Sequence, residues 1–236
     1  MVALLRIGTS SGYRSRHDRG RDRADSPPCG PSTVLALAVL AVVGIRLVEA
    51  ARSSVTAHRR SMVVVRGLQG RHFAAAVPVL VITITLAFLL WQVPVLSFGW
   101  WSAIGGIGNP AVGLTDQDLG IFDVLIPAFF LGLLVVALPL LVAREEWTFR
   151  RRAEVRGPAG NLGRAVAFGL AHAVIGIPIG AALALSVGGI YLTACYLRGW
   201  TETRTQAGAL LESTRAHLAY NLTALALIAM ALALGL

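Results

Sequence analysis

Five stretches of this chain, 33–45, 73–98, 121–143, 165–197 and 218–236, hold almost no charged side chain between them. Several reach the length of roughly 20 residues that an α-helix needs to cross the hydrocarbon core of a bilayer. A transmembrane β-barrel would instead show alternating segments of about ten residues, and none appears. The expected class is therefore all-α: a polytopic helical membrane protein with about six transmembrane helices. Composition agrees, since only 14% of the 236 residues are charged and a soluble domain would carry about 25%.

The net charge of +9 comes entirely from arginine, because the chain has no lysine. A nucleic-acid protein could share such a charge. Here the arginines sit beside apolar segments, where positive-inside orientation and anionic headgroups account for them. The expected partner is the lipid bilayer, and no nucleic acid is expected. Cys29 and Cys195 give neither a metal spacing nor a disulfide framework.

Three regions are expected. Residues 1–32, rich in Arg, Ser, Gly and Asp, form a basic tail of disordered composition. Residues 33–120 hold the first membrane helices, a basic linker with Arg52, Arg59, Arg60, Arg66 and Arg71, and an external loop, 99–120, with Trp100, Trp101, Asp116 and Asp118. Residues 121–236 form the third region. Segment 33–50, broken near its end by Arg46 and Glu49, reads either as a span or as a weak, partly interfacial helix. In the second span, 73–98, Pro78 and Pro94 are expected to kink the helix.

The run 165–197 is too long for one crossing, about 50 Å at 1.5 Å per residue. Ile175-Gly176-Ile177-Pro178-Ile179-Gly180 supplies a break, giving two helices over about 164–177 and 179–198. Gly157-Pro158 and Gly160 mark a further helix break within 144–164, and 199–216 reads as a polar linker. With the hairpin, 144–164 and 199–216 share one membrane face. With a single crossing, His217 would lie across the bilayer from Glu145.

Glu145 and Glu146 are the one pair of adjacent glutamates, with Arg150 four residues after the second. Phe168 precedes His172 by four positions and His217 precedes Asn221 by four, so each pair shares a helix face. Ionisable groups in membrane segments are costly and lean functional. Each has an ordinary reading too: a solvated charge patch for the glutamates, a packing role for His172, a cap for His217, and interhelical glue for Asn221. These readings weaken in combination, because the chain has only five histidines and three asparagines.

At these residues the chain resembles the CAAX-protease and bacteriocin-processing (CPBP) family of intramembrane endopeptidases. The family's signature is Glu-Glu-x-x-x-Arg, then Phe-x-x-x-His, then His-x-x-x-Asn or Asp. It is matched by Glu145-Glu146 with Arg150, Phe168 with His172, and His217 with Asn221. The resemblance covers about 120–236. It departs where many members place a glycine after the motif arginine and this chain has Arg151. It implies that Glu145 and His172 activate a water, that His217 and Asn221 stabilise the oxyanion, and that Glu146 and Arg150 orient the site, with Phe168 as support. It also implies a membrane-associated protein or peptide substrate of CAAX, prenylated or similar type, at the cell membrane.

On residue types alone a zinc site stays open, since three protein ligands and a water suffice for catalysis. The resemblance implies a metal-independent enzyme, so no cofactor is expected. No His-Glu-x-x-His, Gly-x-Gly-Asp or Gly-x-Ser-Gly of other intramembrane proteases occurs. The rival expectation is a non-catalytic membrane immunity or scaffold protein on the same fold.

Overall fold

A computed structural model describes residues 55–99 and 122–234, with a few positions between 41 and 52. The expected tail 1–32, most of segment 33–50 and the loop 100–121 lie outside the described residues, and so do the expectations placed on them. Among the described residues the regular structure is all helical, with no strand. The helices are α1 (Val55–Arg66), α2 (Gly70–Trp91), α3 (Phe122–Phe149), α4 (Pro158–Ala171), α5 (Ile179–Thr203) and α6 (Gln206–Ala233). Short 3₁₀ turns cover Ala153–Val155 and His172–Ile175.

Two of these helices are long and apolar enough to cross a membrane: α2, with a mean hydropathy of 2.6, and α5, with 1.6. Their surroundings differ. Only 17% of the apolar stretch of α2 is buried, against 50% of that of α5. On α2, Ala76, Leu80 and Thr83 face inward while Val77, Val81, Ile84 and Phe88 form an exposed stripe at helical spacing. In water that stripe would leave large apolar area unburied; against acyl chains it has no such cost. α5 packs against α2, α4 and α6, and the small residues Gly180, Ala182, Gly188, Gly189 and Gly199 are buried along it. Small side chains let helix backbones approach closely, which is how helices associate where lipid removes the hydrophobic drive.

The helix boundaries follow local chemistry. Pro158 opens α4 at its first position, where the missing N–H would have had no partner. The expected break at Gly157-Pro158 and Gly160 is thus a start, with Gly160 inside the helix. The break expected near Ile175–Gly180 is present: Gly176 adopts φ 97°, a left-handed conformation that closes the 3₁₀ turn. α5 has no side-chain cap. Its first N–H groups instead donate to the carbonyls of the segment leaving α2, Ile179 to Phe98 at 3.0 Å and Gly180 to Leu96 at 2.7 Å.

Three other expectations need correcting. α2 ends at Trp91, so Pro94 lies beyond it, and Pro78 sits within a continuous helix. α3 carries on past the expected 143 to Phe149, which puts Glu145 and Glu146 on a helix. The polar stretch 199–216 is no linker: α5 runs to Thr203 and α6 starts at Gln206, with Arg204 in the left-handed region at φ 54°. Polar composition misled there because charged side chains such as Glu202, Glu212 and Arg215 are sound helix formers.

Candidate functional site

α3 ends in a turn that is held down by its own side chains. The Arg156 guanidinium donates to the carbonyls of Phe149 at 3.2 Å and Arg152 at 3.3 Å, satisfying acceptors that a helix end leaves open. Asn161 donates to Ala153 at 3.0 Å, and the Tyr196 hydroxyl donates to Glu154 at 2.7 Å. Ala153 packs against Tyr196 and Ala209. The turn is thereby fixed to α4, α5 and α6. Arg150, its first residue, points inward.

The Arg150 side chain is 1% exposed. Its Nη1 lies 3.6 Å from Glu146 Oε1, its Nη2 donates to the Gly189 carbonyl at 3.3 Å, and its guanidinium stacks 4.1 Å from the Phe168 ring centroid. An arginine suits this place because its flat, weakly hydrated cation can stack and hydrogen-bond at once. At Gly189 α4 and α5 come close; a Cβ there would meet the Ala165 carbonyl at 2.7 Å. Gly169 has the same role one turn along α4, where a Cβ would stand 2.8 Å from the Ser186 nitrogen. This close approach sets the register of Phe168 and His172.

Glu146 is wholly buried. Its Oε1 accepts from His217 Nδ1 at 2.8 Å, a contact spanning 71 positions of sequence. A carboxylate only accepts, so Nδ1 carries the hydrogen and Nε2 is the free position of the neutral ring. Nε2 faces Glu145, whose Oε2 is 3.5 Å away. Glu145 is 37% exposed. The imidazole thus stands between a dry carboxylate and a wet one. Ser213, one turn before His217 and fully buried, faces the Glu146 carboxyl group.

Phe168 joins the two histidines. Its ring meets His217 edge-on at 5.4 Å and His172 at 4.9 Å, with Phe149 at 5.5 Å. His172 Nδ1 lies 2.9 Å from the Phe168 carbonyl. A carbonyl cannot donate, so this bond also fixes the hydrogen on Nδ1 and leaves Nε2 able to take a proton. Leu170, Val174 and Ile175 around it are exposed.

The structure therefore brings together Glu145, Glu146, Arg150, Phe168 and His217, with His172 on another edge of the same phenyl ring. Asn221 is half-buried one turn beyond His217, and no hydrogen bond among the described residues uses its carboxamide. No hydrogen bond or ion pair there joins Glu145 to His172; the imidazole beside Glu145 is that of His217. Among the described residues no group of three or more His, Cys, Asp or Glu side chains is arranged to hold a metal ion. Sequence reasoning missed Ser213 and the Gly189 carbonyl. Ser213 was findable, four positions before His217 on the same helix face. A backbone carbonyl carries no residue-type signal.

A second charged cluster lies near the N-terminal ends of α2 and α6. The Glu212 carboxylate pairs with Arg198, and its Oε1 is 3.4 Å from both Arg71 Nη2 and His72 Nε2. His72 Nδ1 accepts the Gln69 N–H at 3.0 Å, so the hydrogen is on Nε2, facing Glu212. Burial pushes the Glu212 carboxyl up, but the Arg198 hydrogen bond and the charges of Arg71, His72 and Arg198 outweigh it. The group is held below the ordinary carboxylate range.

No family model matches the chain, and no curated protein or solved structure matches it either.

Proposed function

We propose that this chain is a polytopic intramembrane endopeptidase of CPBP type, hydrolysing a peptide bond in a membrane-associated protein or peptide. The observation that carries the reading is the His217 imidazole held between Glu145 and Glu146, with Arg150 behind. These residues come from two of the motifs, 71 positions apart, and meet in a place where an unpaired charge would be prohibitively costly.

In this reading a water near Glu145 and His172 Nε2 gives up a proton. Its oxygen adds to the scissile carbonyl carbon, the C–N bond breaks, and the proton goes to the departing amine nitrogen. Glu145 suits the base role because it is the half-exposed carboxylate of the pair, while Glu146 is committed to His217 and Arg150. With Nδ1–H on Glu146, His217 can donate to an oxyanion from Nε2 only as the doubly protonated ring, and two carboxylates flank it to meet that charge. Asn221, whose carboxamide has no hydrogen-bond partner among the described residues, supplies a second donor. A preorganised donor of this kind is worth about 3–4 kcal/mol where water is excluded.

The further membrane helices belong to this proposal. α3 and the part of α6 beyond His217 join α2, α5 and α4 in the bilayer, with 144–164 and 199–216 at the cytoplasmic face. A single cysteine placed at Ala207 should resist impermeant thiol reagents added from outside; strong external labelling would break the topology.

One observation favours the rival. Glu146, Arg150 and His217 are nearly inaccessible, as a purely structural tie between α3 and α6 would be. Proteolysis by purified protein on membrane-inserted or lipidated peptides decides. Glu145→Gln and His172→Ala should each abolish turnover, and the double variant should lose little more, since groups acting as a unit are non-additive. Normal folding with full activity in both single variants would leave the scaffold reading. Stoichiometric zinc, with chelator inactivation reversed by zinc, would replace the metal-independent scheme.

A further inference from the structure

Glu146 has an unequal pair of oxygens. Oε1 serves both His217 and Arg150, whereas Oε2 is buried with no hydrogen-bond partner among the described residues. A buried acceptor without a donor is costly, more so when it is ionised.

Ser213 is the candidate donor. It shares a face of α6 with His217, it is 0% exposed, and its side chain faces the Glu146 carboxyl group. Its Oγ lies 3.2 Å from the Leu210 carbonyl. That carbonyl is already occupied: the Thr214 hydroxyl donates to it at 2.6 Å, and within α6 so does the Thr214 N–H. A carbonyl oxygen has two lone pairs. Ser213 would be a third donor there, while an ionised carboxylate, the stronger acceptor, stands beside it.

We infer that Ser213 is a positioning residue whose hydroxyl donates to the Glu146 carboxylate and thereby sets how strongly Glu146 holds His217. The inference rests on the hydrolytic reading for its meaning, though not for its test. An O–H donor draws negative charge from the carboxylate and moderates its pull on His217 Nδ1–H. The groups facing His217 are Glu145 and Glu146 from α3, with Arg150 behind Glu146, and Phe168 from α4, so Ser213 is the neutral adjuster in a charged set.

The test is the Nδ1–H proton resonance of His217 in ¹⁵N-histidine-labelled full-length protein in micelles. Ser213→Ala should move it downfield, as the bond to Glu146 strengthens. Ser213→Cys, which keeps the shape with a weak donor, should move it less far in the same direction and carries the test if the alanine variant fails to fold. Thr214→Val removes a hydroxyl from Leu210 without touching Glu146 and should leave the resonance in place. In Ser213→Ala, kcat should fall while KM holds. An unmoved resonance in both Ser213 variants, or an equal displacement in Thr214→Val, overturns the inference. Full activity in Glu145→Gln overturns the hydrolytic reading instead, so the two failures are distinguishable.

Discussion

Glu146 and Glu212 are both buried carboxylates with basic partners, yet they are different devices. The partners of Glu146 are as inaccessible as itself: Arg150 and His217 are each 1% exposed. Of the partners of Glu212, His72 is buried, but both arginines reach in from the surface, Arg71 with 49% and Arg198 with 47% of the side chain exposed. One cluster is dry, so its charges are strong and unforgiving; the other is half-solvated and screened. A dry cluster with a single exposed member, Glu145, is what a water-activating site needs. A half-solvated one can join helices but cannot sharpen chemistry.

The largest expected contrast is in turnover. Glu145→Gln should remove proteolysis altogether, whereas Glu212→Gln should keep it in the protein that folds. Equal activity in the two variants would erase the distinction between the clusters. Asn221→Ala sharpens it further, with an expected loss of about 100- to 1000-fold if its carboxamide is an oxyanion donor.

Stability should separate them next. Glu146→Gln leaves the Arg150 charge buried with its main partner gone, a change that costs about 3–5 kcal/mol in such places. Glu212→Gln leaves two arginines that can turn to solvent and should cost about 1 kcal/mol or less. Thermal unfolding of both variants in one detergent checks this. A milder effect for Glu146→Gln than for Glu212→Gln would mean that the dry cluster is not the tie between α3 and α6.

How much of this was legible in the sequence depends on the kind of signal. The helical class followed from uncharged runs, and the turn after His172 followed from Gly176 and Pro178, whose backbone preferences are intrinsic. The convergence of Glu146 with His217 followed from treating 165–197 as a hairpin. Helix ends at polar stretches were not legible, because Glu202, Arg198 and Glu212 are good helix formers whose role as helix–helix ties depends on partners distant in sequence. For the same reason the pairing of Glu145 with His217 rather than His172 was hidden: spacing places residues on a face, while only packing decides which face meets which.

The smallest effect expected is the response of the Glu212 cluster to solution conditions. Its pairs lie within reach of counterions, and the screening length falls from about 8 Å at 0.15 M to about 3 Å at 1 M salt. High salt should therefore lower the unfolding temperature of wild type slightly and leave Glu212→Gln unchanged. Acid should act in the same direction. The folded Glu212 carboxyl lies below its ordinary value of 4.5, so the unfolded chain takes up its proton first as pH falls. The stabilisation is fully present above about pH 4.5 and drains away as pH drops through the lower, folded value. Wild type and Glu212→Gln should accordingly converge in stability below that window and differ above it. A constant difference across the window would mean that Glu212 ties the helices by shape and not by charge, and the contrast with Glu146 would then be one of packing alone.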